Sequence, residues 1–215
     1  MEPSKKVFKN EIKYAVQLNE EQKEAKRLIR ENQIVVITGR AGCGKSLVSA
    51  QTCLDFLFKK EFKEIFVTRA TVEVGASLGL LPGTVGEKLN PYLEAFMENL
   101  NKCYDAAKIR QLVDDNRIKG YPVQFIRGKT IDEVLIVEEA QNLTKGQMLA
   151  ILTRLGKGGR IIINGDNEQK DIRDEFNGLS YVIELSKHIP EIQWIKLKHN
   201  HRSDLVGKIL EYEYR

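Results

Sequence analysis

The chain has 215 residues, of which 42% are hydrophobic and 30% charged, with a formal net charge of +4. That length suits one full-sized domain with a complete core, and that balance excludes a disordered or fibrous chain. No stretch reaches the roughly 18–20 consecutive apolar residues of a membrane span, and the start Met-Glu-Pro-Ser-Lys-Lys lacks the apolar centre of a secretory signal.

Three cysteines, Cys43, Cys53 and Cys103, are scattered and show no metal-ligand spacing, which points to a reducing cytoplasm. Mild basicity permits a polyanionic partner without demanding one. Residues 1–15 are polar and lysine-rich, and 1–18 is read as a loose arm ahead of a domain covering 19–215. From Asn19 the run Asn-Glu-Glu-Gln-Lys-Glu-Ala-Lys-Arg-Leu-Ile-Arg predicts a helix, capped by Asn19 and acidic in its first turn.

Ile34–Thr38 is apolar and β-branched, which predicts a buried strand. It runs into Gly39-Arg-Ala-Gly-Cys-Gly-Lys-Ser46, a complete G-x-x-x-x-G-K-[ST] loop, and then into a helical pattern from Leu47 to Phe58. The motif therefore falls on a strand-to-helix turn, the context a phosphate cradle needs. Its glycines let successive backbone N–H groups point at phosphate oxygens, with the positive end of the helix behind them. Lys45 then reaches the β/γ-phosphates and the Ser46 hydroxyl ligates Mg²⁺. The nucleotide-binding set is Gly39, Arg40, Ala41, Gly42, Cys43, Gly44, Lys45, Ser46 and Leu47. Cys43 is either a redox-sensitive thiol or a small tolerated side chain.

Ile65–Thr68 is the next strand, and residues 84–120, with a helix over Ala95–Lys102, look like an insertion. Val134–Val137 follows, ending in Glu138-Glu139-Ala140-Gln141-Asn142. An apolar strand followed by two acids fits a Walker B element, with Glu138 on the metal and Glu139 beside the attacking water. Helices over Lys145–Leu155 and Gly178–His188 alternate with strands at Ile161–Asn164 and Ile192–Leu197. Short apolar strands alternating with helices predict an α/β, doubly wound, mostly parallel sheet that binds ligand beyond the carboxyl ends of its strands.

The fourth of these strands ends in Gly165-Asp166-Asn-Glu-Gln169, which resembles motif III of superfamily-1 helicases, where the glutamine senses the γ-phosphate. Gln22 resembles the glutamine that recognises adenine in the same helicases, and no Asn-Lys-x-Asp guanine-reading sequence occurs. A further set of blocks is specific. Thr68-Arg69-Ala70, Gly79–Gly83, Glu87-Lys88, Pro91-Tyr92-Leu93, Phe125–Thr130, Glu138–Asn142, Leu152–Gly156, Gly165-Asp166 with Gln169, and His201–Asp204 resemble the signature of the PhoH family, in order from about Asn19 to the C-terminus.

The resemblance implies a single RecA-like P-loop domain, an Mg²⁺-dependent ATPase related to the first motor domain of superfamily-1 helicases, and action on single-stranded RNA. It also implies an arginine supplied within the chain or by a neighbouring copy, since no second motor domain is present. Arg154 and Arg202 are the candidates, in a homo-oligomer such as a hexameric ring. Polynucleotide contacts are expected from Thr68, Arg69, Arg127 and Lys129, with Tyr92 or Phe125 stacking on bases, although Phe125 as core and Lys129 as a solvated charge fit as well. Two positions depart from the family pattern: Glu138 stands where aspartate is usual, and Cys43 where threonine is. The alternatives are a nucleotide-gated assembly module with blunted hydrolysis, or a small-molecule kinase.

Overall fold

The computed structural model describes residues 12–69, 85–169 and 176–201, and residues 205, 206, 208 and 212 beyond them. Short apolar runs set its frame. Ile34–Thr38 (β1), Ile65–Arg69 (β2), Ile118–Gly120 (β3), Val134–Glu138 (β4), Arg160–Gly165 (β5) and Ile192–Lys196 (β6) form a six-stranded sheet in the order β3-β2-β4-β5-β1-β6. All neighbouring strands run parallel. Side chains alternate between the two faces of such strands, so apolar residues at every position bury both faces.

Two cores result. Val35 and Ile37, Ile65 and Val67, and Val134 and Ile136 pack against helices Glu20–Glu31 (α1), Lys45–Phe58 (α2), Val85–Cys103 (α3) and Ala106–Asp114 (α4). On the other face Val36, Phe66, Leu135, Ile161 and Ile163 meet Val123–Ile126 (α5), Lys145–Leu152 (α6) and Gly178–Ser186 (α7). The architecture is the parallel, doubly wound α/β sheet the sequence implies. α1 starts with the expected cap: the Asn19 side chain accepts from the Gln22 N–H at 2.9 Å, and Gln22 Oε1 accepts from the Asn19 N–H at 3.0 Å.

Several local expectations change. β3 has only three residues and carries no apolar run, so periodicity missed it; it pairs with β2 at the sheet edge. The segment 84–120, expected as an insertion, supplies α3, α4 and this edge strand. α6 ends at Leu152 rather than Leu155, because the chain turns there to bring the Arg154 carbonyl 2.7 Å from the Ile131 N–H. α7 ends at Ser186 rather than His188.

Residues 1–11 of the expected arm lie outside the described residues. The Tyr14 hydroxyl donates to Asp55 Oδ1 at 2.6 Å, and Gln51 Nε2 donates to the Val16 carbonyl at 2.7 Å, tying residues 14–16 to α2. Among the described residues no helix is long and apolar enough to cross a membrane.

Candidate active site

β5 lies between β1 and β4, so three adjacent strands deliver three motifs to one edge of the sheet. The loop follows β1, the Gly165-Asp166 turn ends β5, and Glu138-Glu139 ends β4. Between them is a cavity of about 620 Å³ whose lining includes Lys45, Ser46, Glu138, Glu139 and Gln169. This is the carboxyl-edge crevice where sheets of this kind take ligands.

The loop has its shape because of its glycines. Gly39, Gly42 and Gly44 have φ of 148°, 89° and 89°, values side-chain-bearing residues rarely adopt. A Cβ on Gly44 would stand 2.3 Å from Gln22 Nε2, and one on Gly39 would stand 2.4 Å from the Leu197 carbonyl oxygen. Lys45 Nζ donates to the carbonyls of Gly39 and Arg40 and lies 3.9 Å from Cys43 Sγ, curled over the loop's own backbone. Burial pushes the Cys43 thiol up, with Lys45 opposing it, which suits a small packed side chain better than a reactive thiolate.

At the end of the loop Ser46 Oγ donates to Glu138 Oε2 at 2.9 Å, and Asn164 Nδ2 donates to Glu138 Oε1 at 2.9 Å. Burial raises the Glu138 carboxyl pKa; the bonds from Asn164 and Ser46 oppose the shift. Two hard oxygen donors side by side, a hydroxyl and a carboxyl group, fit a Mg²⁺ ion and would hold it there. Glu139 has φ 53° and ψ 43°, a left-handed backbone unusual for glutamate. Its Oε2 accepts from Gln141 Nε2 at 2.7 Å, and its Oε1 lies 3.6 Å from Arg69 Nη2.

Gln141 joins the motifs. Besides Glu139 it donates to the Gln169 carbonyl at 3.3 Å and accepts from the Asp166 N–H at 3.0 Å. Burial also raises the Asp166 carboxyl pKa; the backbone N–H of Glu168 opposes the shift. Gln141 and Asn164 are site residues that motif spacing alone does not single out. Their signal was present: amides buried at the ends of apolar strands need partners, and here the partners are the acid pair.

Other expected residues are placed as follows. Ala41, Gly42 and Leu47 line the cavity, while Arg40 points away and pairs with Glu168 at 2.7 Å. Gln22 lines it too, but its amide is not free to read a base. Oε1 is held in the α1 cap, and Nε2 donates to the Cys43 carbonyl at 3.0 Å and lies 3.1 Å from His201 Nε2. His201, which the motif reading does not single out as a site residue, lines the cavity, and its backbone N–H donates to the Gly42 carbonyl at 3.1 Å. Arg154 is remote from the cavity: its guanidinium donates to the Arg127 carbonyl at 3.2 Å, near the amino end of β4. Arg202, the Gly79–Gly83 block and the Tyr92 side chain lie outside the described residues.

The four expected polynucleotide contacts do not form one surface. Thr68 is fully buried, which removes it as a contact. Arg69 enters the site beside Glu139. Lys129 Nζ sits 3.6 Å over the Phe66 ring on the opposite face of the sheet, and Arg127 follows α5 on that face. Phe125 is 59% exposed and is not core.

A phosphate loop facing an acid pair across one strand of a parallel sheet defines a P-loop NTPase of RecA-like fold. The family model described as PhoH-like protein matches residues 15–213, and the chain belongs to that family. It is 37% identical over 194 residues to a PhoH-like protein of Bacillus subtilis, covering 88% of this chain and 61% of the relative. It is 35% identical over 170 residues to the protein PhoH of Escherichia coli, covering 77% and 48%. The chain thus spans about half to three-fifths of the length of these curated relatives. Among solved structures it is similar in fold to the large terminase of a thermophilic bacteriophage (TM-score 0.58, 11% identity, 93% of this chain and 51% of that one). A Pif1 helicase from Bacteroides in complex with ADP-AlF3 and ssDNA is similar too (TM-score 0.50, 14% identity, 93% and 46%).

Proposed function

We propose that this chain binds ATP with Mg²⁺ and hydrolyses it, coupled to single-stranded RNA. The observation that carries the reading is the pair Ser46–Glu138, 2.9 Å apart, with Glu139 beside it and Lys45 across the cavity. Lys45 would leave the loop carbonyls for the β/γ-phosphates, and the backbone N–H groups of the loop would hold the remaining oxygens. Ser46 and Glu138 would hold the metal, which when bound supplies positive charge against the triphosphate oxygens. Glu139 would orient the attacking water, with Gln141 fixing its carboxylate. Gln169, at the end of the β5 turn, would meet the γ-phosphate.

The RNA half of the proposal is supported by family membership and by the fold shared with a helicase seen with ssDNA. Since Arg154 is remote from its own cavity, an arginine from that position would have to serve a neighbouring copy, in a homo-oligomer. The test is ATP turnover at several protein concentrations, with and without single-stranded RNA. Turnover should exceed that of Lys45→Ala, rise with RNA, and vanish in Glu139→Gln while nucleotide binding persists. Unchanged turnover in Glu139→Gln removes Glu139 from its role, and concentration-independent specific activity removes the trans arginine.

A further inference from the structure

Arg69 is the last residue of β2 and stands in register with Glu138 across the β2–β4 pair. Both project to the α3 side, into a cavity of about 190 Å³ shared by Ser46, Asn99 and Glu139. Its guanidinium lies 3.6 Å from Glu139 Oε1, while the other carboxylate oxygen is held by Gln141 at 2.7 Å. The carboxylate therefore has one neutral clamp and one cationic clamp. An oxygen turned toward a guanidinium is less available to accept a hydrogen bond from water.

The two clamps differ in strength. The Gln141 bond is short and comes from a buried amide. The Arg69 contact is longer than a charge-assisted hydrogen bond, and its two side chains are 37% and 36% exposed. Ion pairs of that kind contribute little and exchange readily. A phosphodiester of a nucleic-acid strand offers guanidinium two parallel charge-assisted bonds, a better partner than a carboxylate at 3.6 Å.

We infer that Arg69 is a positioning residue that restrains Glu139 in the resting protein and releases it when a strand phosphate takes the guanidinium. One side chain then links occupancy by a polynucleotide to the readiness of the water-orienting carboxylate. This rests on the hydrolytic role proposed above for Glu139.

Competition for one guanidinium can be measured without turnover. Binding of a labelled oligouridine strand is followed by fluorescence anisotropy for the wild type, Glu139→Gln, Arg69→Gln and the double variant. Freed of its carboxylate partner, Arg69 should bind the strand about two- to five-fold more tightly in Glu139→Gln, the scale of a half-exposed ion pair. The gain should be absent in the double variant. In turnover assays Arg69→Gln should raise strand-free kcat and bring strand stimulation down toward none, and Arg69→Lys should retain part of both properties.

An unchanged affinity in Glu139→Gln, or a gain that survives loss of Arg69, overturns the inference. So does a fall of strand-free kcat in Arg69→Gln, which would place Arg69 on the nucleotide instead. Failure of the hydrolytic reading appears separately, as wild-type turnover no higher than that of Lys45→Ala.

Discussion

Gln22 Nε2 donates to the carbonyl of Cys43 at 3.0 Å, so α1 holds the phosphate loop by its backbone. The same amide closes the α1 cap through Oε1, and the residue is 1% exposed. A side chain committed at both ends shapes the loop rather than reading a base. Gln22→Ala should therefore weaken ATP and GTP by similar factors, and lower stability by about 1–3 kcal/mol through the unpaired groups it leaves. Calorimetric titration with both nucleotides, beside thermal melting, checks this; a loss confined to ATP would restore the adenine-reading role.

Gln141 leads to a different kind of prediction, because it bonds to Glu139 and to the turn after β5. Removing it frees Glu139 Oε2 and leaves the Asp166 N–H without its acceptor. Gln141→Ala should lower kcat by about 10–100-fold, the scale of a misplaced general base, with KM little changed. Steady-state kinetics separate this from a binding defect, since a merely structural role would raise KM together with the fall in kcat.

These two glutamines show what the sequence could and could not disclose. The loop, the acid pair and the Gly165-Asp166 turn are contiguous and each follows an apolar strand, so pattern and topology together place them at one edge. Gln22 and Arg69 read from sequence as an adenine reader and a polynucleotide contact, because the partners that hold them, Cys43 and Glu139, are far away in sequence. Register decides such contacts: Arg69 meets the site because β2 pairs with β4 so that it faces Glu138. Strand alternation sends Thr68 to the opposite face, where it is buried. β3 was invisible because three residues cannot show a period, although its pairing with β2 completes the sheet.

Glu138 is a half-buried carboxyl group held by two neutral donors, its pKa raised by burial, so that among the described residues its negative charge has no cation beside it to offset the loss of water. A glutamine at this position keeps the shape, accepts from Asn164 and removes the carboxyl whose ionisation burial disfavours. Glu138→Gln should leave the metal-free protein as stable as the wild type or more so, by about 1–2 kcal/mol, while removing the Mg²⁺ dependence of nucleotide affinity. Melting in chelator and nucleotide titration with and without Mg²⁺ provide the readouts. A large loss of stability would mean that Glu138 serves the fold rather than the ion.

The chain has one tryptophan, and it is wired to the loop. Trp194 is 44% exposed on β6, and its indole N–H donates to Thr38 Oγ1 at 2.9 Å, one residue before Gly39. Lys45 curls over the carbonyl of Gly39, so a phosphate that draws Lys45 away should alter the backbone beside Thr38. Emission from Trp194 should then change on adding ATP and saturate with the calorimetric affinity. Lys45→Ala should abolish the change along with binding. Thr38→Val keeps the strand shape but removes the acceptor, at a cost of about 1 kcal/mol in stability. It should reduce the fluorescence response while leaving affinity nearly intact. A response that persists undiminished in Thr38→Val would show that the indole senses something other than the loop.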